Sequence, residues 1–210
     1  MIKENINLAL LQIIQGEAIL KEGELTIKPD GNGFIKLRLE SDTALMGDVE
    51  WTENKHLVID ILSDMDAMTT IDLIFFKTGD NSGESEKNVL NYHMIPTKRV
   101  KMAVKLDELQ SRRHFLPTLP GTLKGHVSGR PTNISTVNAI EIYVHPGYSS
   151  IFKSFTIYEM YLSDELPDMT VIGEPMVDEL GQWIQKDWNT KIPSKPGRGI
   201  PFPIPSIGIF

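Results

Sequence analysis

The chain has 210 residues, no cysteine and a formal net charge of −7 at neutral pH. This length allows one well-buried core. The lack of cysteine excludes disulfides, thiolate metal sites and cysteine nucleophiles, and the acidic balance is a poor match for nucleic acid or an anionic membrane. We therefore expect neither nucleic acid nor a membrane as a partner.

The amino-terminal segment is apolar over residues 6–14, but Asn7 and Gln12 interrupt the run. Lys3 is offset by Glu4, and no small-residue cleavage site follows. No apolar run in the chain approaches the ~20 residues of a membrane-spanning helix. We interpret the segment as an amphipathic terminus or a first strand. The chain is then cytoplasmic as written, or exported if this terminus is incomplete.

From about Glu22 onward, short strand-like runs alternate with turn signals. The run GFIKLRLES places Ile35, Leu37 and Leu39 on one side and charged residues on the other, which is typical of an antiparallel strand with one buried face. A weaker strand is predicted over residues 44–51. The runs HLVIDILS and TIDLIFFKTG are almost continuously apolar and predict central strands covered on both faces.

The second half of the chain continues in the same way. Pro96 separates the runs VLNYHMIP and KRVKMAVKL, which predicts an edge or a break there. The stretch 106–131 is rich in proline and glycine and is interpreted as a long connection, and the strands AIEIYVHP and SFTIYEMYLSDE follow it. With about nine or ten strands and no amphipathic helix between them, residues 1–166 are predicted to form an all-β antiparallel sandwich. Residues 167–210 are predicted to be a linker-like extension.

No catalytic signature is visible in the sequence, which has no nucleophile elbow, zinc-protease motif or phosphate-binding glycine loop. The acidic residues near strand ends are candidate ligands of a structural calcium ion, since this cation takes several carboxylate and carbonyl oxygens. The candidate ligands are Glu17, Glu40 and Asp164. The five histidines lack the spacing that zinc prefers and are interpreted as scattered hydrogen-bonding residues.

Aromatic and basic side chains suggest recognition of a sugar, whose C–H faces stack on rings and whose hydroxyls need donors and acceptors. The candidates are Trp51, Tyr92, Arg112, Arg113 and His114, with Tyr143, Tyr148 and Phe115 as further rings. The alternative is that the rings belong to the core, where aromatic residues are common. The three consecutive polar residues at 112–114 would then form only a salt-bridged rim.

The segments VKMAVKLDELQSRRHFLPTLPGTLKGHVSGRP, AIEIYVHP and SFTIYEMYLSDELPD together resemble the galactose-binding-like jelly roll at the N-terminus of agarase-type glycoside hydrolases and related modular enzymes. The following VIGEPMVDELGQWIQKDWNTKI is similar to the segment that leads from that module into a (β/α)8 barrel. The resemblance extends over residues 20–191. It implies a non-catalytic carbohydrate-binding module, because 210 residues leave no room for a barrel of ~250 residues as well.

The sequence therefore predicts a jelly roll that binds a polysaccharide or oligosaccharide by aromatic stacking and Arg/His hydrogen bonds, and that is not an enzyme. Two alternatives remain open. In one of them the domain has no ligand site of its own and serves as a structural accessory that docks onto a glycoside hydrolase catalytic domain. The third interpretation is a stand-alone hydrolase or lyase that uses the sandwich cleft.

Overall fold

A computed structural model of the chain describes residues 2–30, 33–40, 51–65, 69–77, 87–94, 98–110, 122–145 and 152–168. These residues contain twelve β-strands and three short 3-10 helices. The strands are β1 (Lys3–Asn5), β2 (Gln12–Gln15), β3 (Glu17–Lys21), β4 (Glu24–Lys28), β5 (Ile35–Glu40), β6 (His56–Met65), β7 (Thr69–Lys77), β8 (Lys87–Met94), β9 (Arg99–Lys105), β10 (Thr122–Gly129), β11 (Val137–His145) and β12 (Phe152–Ser163). The helices are η1 (Leu8–Leu10), η2 (Leu106–Gln110) and η3 (Ile134–Thr136).

The strands form two sheets in which every pairing is antiparallel. The first sheet has the order β3-β4-β12-β6-β9, and β1 pairs with β12 beyond the end of β4. The second sheet has the order β10-β8-β7-β11-β5-β2. The predicted all-β sandwich with a jelly-roll arrangement is confirmed. Among the described residues, no helix has the length and apolar character that crossing a membrane requires.

Alternate side chains of facing strands fill the space between the two sheets. In β5, the predicted inward residues Ile35, Leu37 and Leu39 are buried, and the residues between them are half-buried. The same alternation runs along β7, β8 and most of β11. Each fully buried Leu or Ile contributes about 1.5–3 kcal/mol relative to an exposed one, so this layer dominates the stability of the domain.

Strand β6 departs from simple alternation because it is buried on both faces, as its apolar run predicts. Leu57 and Ile59 point into the core, whereas Val58 faces outward. On that outer side Val58 packs with Ala103 and Tyr161, which are its cross-strand neighbours in β9 and β12. Strand β7, by contrast, keeps half-buried residues on its outer side, so the prediction of two fully covered faces holds only for β6.

The stretch 106–131 is not the uninterrupted connection that its composition predicts. It begins with η2 and contains β10, which lies at the edge of the second sheet and, among the described strands, pairs with β8 alone. Gly125 stands opposite Tyr92 in this pair, so the large ring compensates for the missing side chain. Glycines within β10 obscure the alternation of polar and apolar side chains, so the sequence of this strand resembles that of a loop.

Pro96, where a break is predicted, lies outside the described residues, but the strands on either side of it belong to different sheets: β8 ends at Met94 in the second sheet and β9 begins at Arg99 in the first. Two other predictions lie almost wholly outside the described residues. They are the weak strand over 44–51, of which only Trp51 is described, and the extension 167–210, of which only residues 167 and 168 are described.

Gly129 and Gly23 both have positive φ angles, of 88° and 85°, but differ in their surroundings. A Cβ at Gly129 would lie 2.2 Å from the carbonyl oxygen of Lys87, whereas one at Gly23 would meet nothing within 4 Å. We expect Gly129→Ala to lower the free energy of unfolding by more than ~2 kcal/mol and Gly23→Ala by only ~1 kcal/mol, since the latter adds backbone strain alone. Chemical denaturation of the two variants measures this difference, and equal losses would contradict it.

Candidate functional site

The outward face of the second sheet carries polar and aromatic side chains from neighbouring strands. Side chains alternate along a strand, so the half-buried residues between core positions point away from the first sheet. The register aligns them in rows, and in one row Asp72 of β7 lies between Asn91 of β8 and Tyr143 of β11. We call this cluster the histidine face. Its members are Phe34, Thr70, Asp72, Asn91, His93, His126, Tyr143 and His145.

Asp72 is the centre of hydrogen bonding on the histidine face. Nε2 of His145 lies 2.8 Å from Oδ2 of Asp72, and Nδ2 of Asn91 donates to Oδ1. Since an ionised carboxylate only accepts hydrogen bonds, Nε2 of His145 carries the hydrogen. In the adjoining row, the hydroxyl of Thr70 lies 3.0 Å from Nδ1 of His93. One carboxylate and one hydroxyl therefore orient two imidazole rings.

Aromatic rings form the two ends of the histidine face. Phe34, which immediately precedes β5, stacks on Tyr143 with ring centroids 5.7 Å apart and an interplanar angle of 23°. His145 contacts the same Tyr143 ring edge-on at 4.2 Å. Toward the opposite edge of the sheet, His93 and His126 meet edge-to-face at 5.5 Å. The polar row is thus bounded by half-buried rings, all of them partly open at the surface.

The pKa of Asp72 is held below its ordinary value. Burial alone would raise it, but the hydrogen bonds from His145 and Asn91, together with the charges of His145 and His93, more than offset that effect. Asp72 is therefore a carboxylate throughout the neutral range. It can accept hydrogen bonds but cannot supply a proton there.

Charges beside the histidine face are paired with one another. Buried Glu141 of β11 receives Nζ of Lys36 at 3.0 Å and Nη1 of Arg38 at 2.8 Å. Arg38 also pairs through Nε with Glu40, and its guanidinium lies over the ring of Phe76. Two cations and two carboxylates cancel locally, so this part of the sheet offers little attraction to a strongly charged ligand.

Among the described site residues predicted from sequence, Tyr143 belongs to this cluster, whereas Trp51 and Tyr92 do not. Trp51 is half-buried, packs against the core and lines a crevice beside Ala139, about 20 Å along β11 from His145. The prediction that Tyr92 stacks on a sugar is wrong, because its ring lies inside the sandwich at 2% exposure. Burial raises the pKa of its hydroxyl, and the charge of Glu108 adds to this. Arg112, Arg113 and His114 lie outside the described residues.

The predicted calcium ligands are also separated. Glu17 begins β3 in the first sheet, whereas Glu40 ends β5 in the second and is paired with Arg38. Asp164 follows β12 and accepts the backbone N–H of Ile2 at 2.7 Å. The register places Glu17 near the start of β12, about 30 Å from Asp164. Within the described ranges, no group of three or more acidic residues and histidines could hold a metal ion.

The histidine face went unrecognised in the sequence because its members are far apart in the chain. His145 and Asp72, for example, are 73 positions apart. The available signals were the alternation in β8 and β11, which places His93 and Tyr143 on outward positions, and Asp72 as the one charged residue within the apolar run of β7. What they lack is the order of the strands, without which these outward residues cannot be assigned to one site.

We expect Asp72→Asn to lower the free energy of unfolding by about 1 kcal/mol at pH 7, because it weakens the charge-assisted hydrogen bonds to the neighbouring side chains. A carboxyl whose pKa is lowered by folding stabilises the fold above its unfolded pKa, and this contribution is lost as the pH falls through the folded pKa. The difference between variant and wild type should therefore shrink below pH ~4.

Urea denaturation from pH 7 to pH 3 measures this dependence. Asp107→Asn is the matched control, since Asp107 is 44% exposed and pairs with Lys105 at the surface, where a salt bridge contributes little. If the difference in free energy of unfolding between Asp72→Asn and wild type stayed constant across that range, the lowered pKa of Asp72 would be refuted.

Comparison with known proteins gives a match in fold but not in sequence. No protein-family model matches the chain, and no curated protein matches it at a significant level. A structure described as PfGH50B has a TM-score of 0.54 at 11% identity, covering 75% of this chain and 22% of that one. The agarase AgWH50C has a TM-score of 0.54 at 14% identity, covering 75% of this chain and 23% of its own.

An exo-beta-agarase has a TM-score of 0.52 at 14% identity, covering 82% of this chain and 25% of its own. At such identities the likeness establishes the fold alone. The chain spans about a quarter of the length of these solved structures. Its sandwich is therefore similar to one module of much larger chains, two of which are agarases.

Proposed function

We propose that this domain is a non-catalytic carbohydrate-binding module of the galactose-binding-like class, and that the histidine face is its binding surface. The observation that carries the proposal is the row in which Asp72 and its hydrogen-bonded partners lie directly beside the half-buried rings of Phe34 and Tyr143. A sugar presents C–H faces that stack on rings and hydroxyls that bond to carboxylates, amides and imidazoles. This row offers both within reach of one ligand.

The dimensions and charge of the histidine face favour a neutral oligosaccharide. From β10 to β5 the face crosses four strand spacings, or about 19 Å, which is enough for several sugar residues. The ion pairs around Glu141 cancel one another, so a polyanion gains little there. Because two of the similar structures are agarases, agarose is the first polysaccharide to test. A partly open, polar surface of this kind predicts modest affinity.

Binding without cleavage fits the chemistry of the face. Glycoside hydrolysis commonly needs a proton donor and a second carboxylate on either side of the scissile bond. Asp72 has a lowered pKa and cannot serve as an acid near neutral pH, and Glu141 is occupied by Lys36 and Arg38. Neither of these two described carboxylates, one on the face and one beside it, is suited to protonate a leaving group.

An accessory docking domain without a ligand site is the second candidate. It is favoured by the exposed apolar residues Ile19 and Leu20 on the edge strand β3, which are 58% and 48% exposed and suit contact with a partner protein. A glycoside hydrolase catalytic domain is the partner that the similar structures suggest. No retention of the wild-type domain on any glycan would favour this candidate.

We expect Tyr143→Ala to weaken retention in agarose-containing affinity gels about tenfold, because it removes the ring that stacks on Phe34 and contacts His145. Ile19→Ala is the matched control, since it removes an exposed apolar side chain from the other sheet. Circular dichroism confirms that both variants are folded. Equal retention of the two variants would place the binding surface elsewhere.

The residues at 112–114 remain a proposed extension of the binding surface. If Arg113 and His114 contact the sugar, the double variant Arg113→Ala with His114→Ala loses retention on the same gels. Unchanged retention of this variant, together with loss in Tyr143→Ala, would limit the ligand to the histidine face.

A further inference from the structure

A second open surface lies on the first sheet, where, on the side of β4 and β1, none of the described strands pairs with β12 at Tyr158 and Glu159. Strand β4 pairs with Phe155–Ile157 of β12, and β1 pairs with Tyr161–Ser163. Between these two pairings lies an open groove of about 240 Å³. Its lining includes Lys3, Asn5, Asn7, Gly23, Tyr158 and Glu159.

A β-bulge directs two consecutive side chains into this region. Ile157 pairs with Ile61 and Glu159 pairs with Asp60, so Tyr158 is an extra residue in the strand. The side chains of Tyr158 and Glu159 consequently share the outward face, where they contact Arg99 and Lys3, respectively. Bulges commonly re-aim side chains at functional sites.

The ring of Tyr158 is held in place before any ligand arrives. The guanidinium of Arg99 lies 3.6 Å from the centroid of the ring. Arg99 is itself fixed by two hydrogen bonds to buried Asp60, at 2.8 and 3.0 Å. A ring that is already ordered loses little conformational entropy on binding, which favours association.

The polar side chains of the groove complement this ring. Glu159 accepts from Nζ of Lys3 at 2.6 Å, and both side chains remain partly exposed, at 44% and 33%. Asn5 is exposed on the same edge, and the hairpin turn at Gly23 leaves open space beside the groove. The Lys3–Glu159 pair is neutral overall and presents a donor and an acceptor side by side, as neighbouring sugar hydroxyls require.

We propose that this groove is a second sugar-binding site that takes a single neutral sugar ring against Tyr158. The inference rests on the carbohydrate-binding function proposed above but does not depend on the histidine face. The two sites lie on the outer faces of opposite sheets. One domain can therefore engage two polysaccharide chains at once and gain avidity on a dense matrix.

Amide chemical shifts of the ¹⁵N-labelled full chain, titrated with an agarose-derived tetrasaccharide and with galactose, test the proposal. We expect two separate sets of shifted resonances, one around Asp72 and Tyr143 and one around Asn5 and Tyr158. Tyr158→Ala should weaken binding at the groove about tenfold and leave the histidine face unchanged. Tyr158→Phe keeps the ring and should remain within about twofold of wild type.

The possible outcomes bear differently on the two proposed sites. Shifts confined to the histidine face would overturn the second site and leave the first intact. Shifts confined to the groove would support the second site and refute the placement of the first. No shifts at either surface with either sugar would overturn both. If Tyr158→Ala proves unfolded, Asn5→Ala replaces it. Loss of the groove shifts in folded Asn5→Ala, but not in Tyr143→Ala, would support the second site, and unchanged groove shifts in Asn5→Ala would overturn it.

Discussion

Burial of alternate side chains between the two sheets is the constraint on which the rest of this domain depends. In β5 the residues Ile35, Leu37 and Leu39 all face the core, and a register slip of one residue would turn every one of them toward water. Such a slip is costly, so the register of β5 against β11 is strongly specified. The outward residues are then specified as well, because each lies between two buried ones.

The two proposed binding surfaces are consequences of that register. Asp72, Asn91 and Tyr143 meet because the strands that carry them are neighbours and because their inward partners are held in the core. On the opposite sheet, the bulge in β12 interrupts the same alternation and adds Tyr158 to the outer face without disturbing the buried residues on either side. The histidine face therefore follows from the regular strand register, and the groove beside Tyr158 follows from a local departure from it.

Both surfaces are suited to reversible binding of uncharged ligands. Their charged residues are largely paired with one another, as in Asp60 with Arg99 and Glu141 with Arg38, so they orient rings and hydrogen bonds more than they create a field. Holding a ring in place before the ligand arrives reduces the entropic cost of association. This lower entropic cost matters for a shallow site, because few contacts are available there to offset the loss of bound water.

The sequence alone determined the all-β class, the faces of alternating strands such as β5 and the separation of β8 from β9, because these follow from local periodicity and proline geometry. It also led to a family resemblance that matches the fold of agarase modules. It did not reveal that β10 is a strand, that Tyr92 is buried, or that Asp72 meets His145. Those facts depend on which strands are neighbours, and sheet order is decided by contacts between residues far apart in the chain, which only the tertiary structure contains.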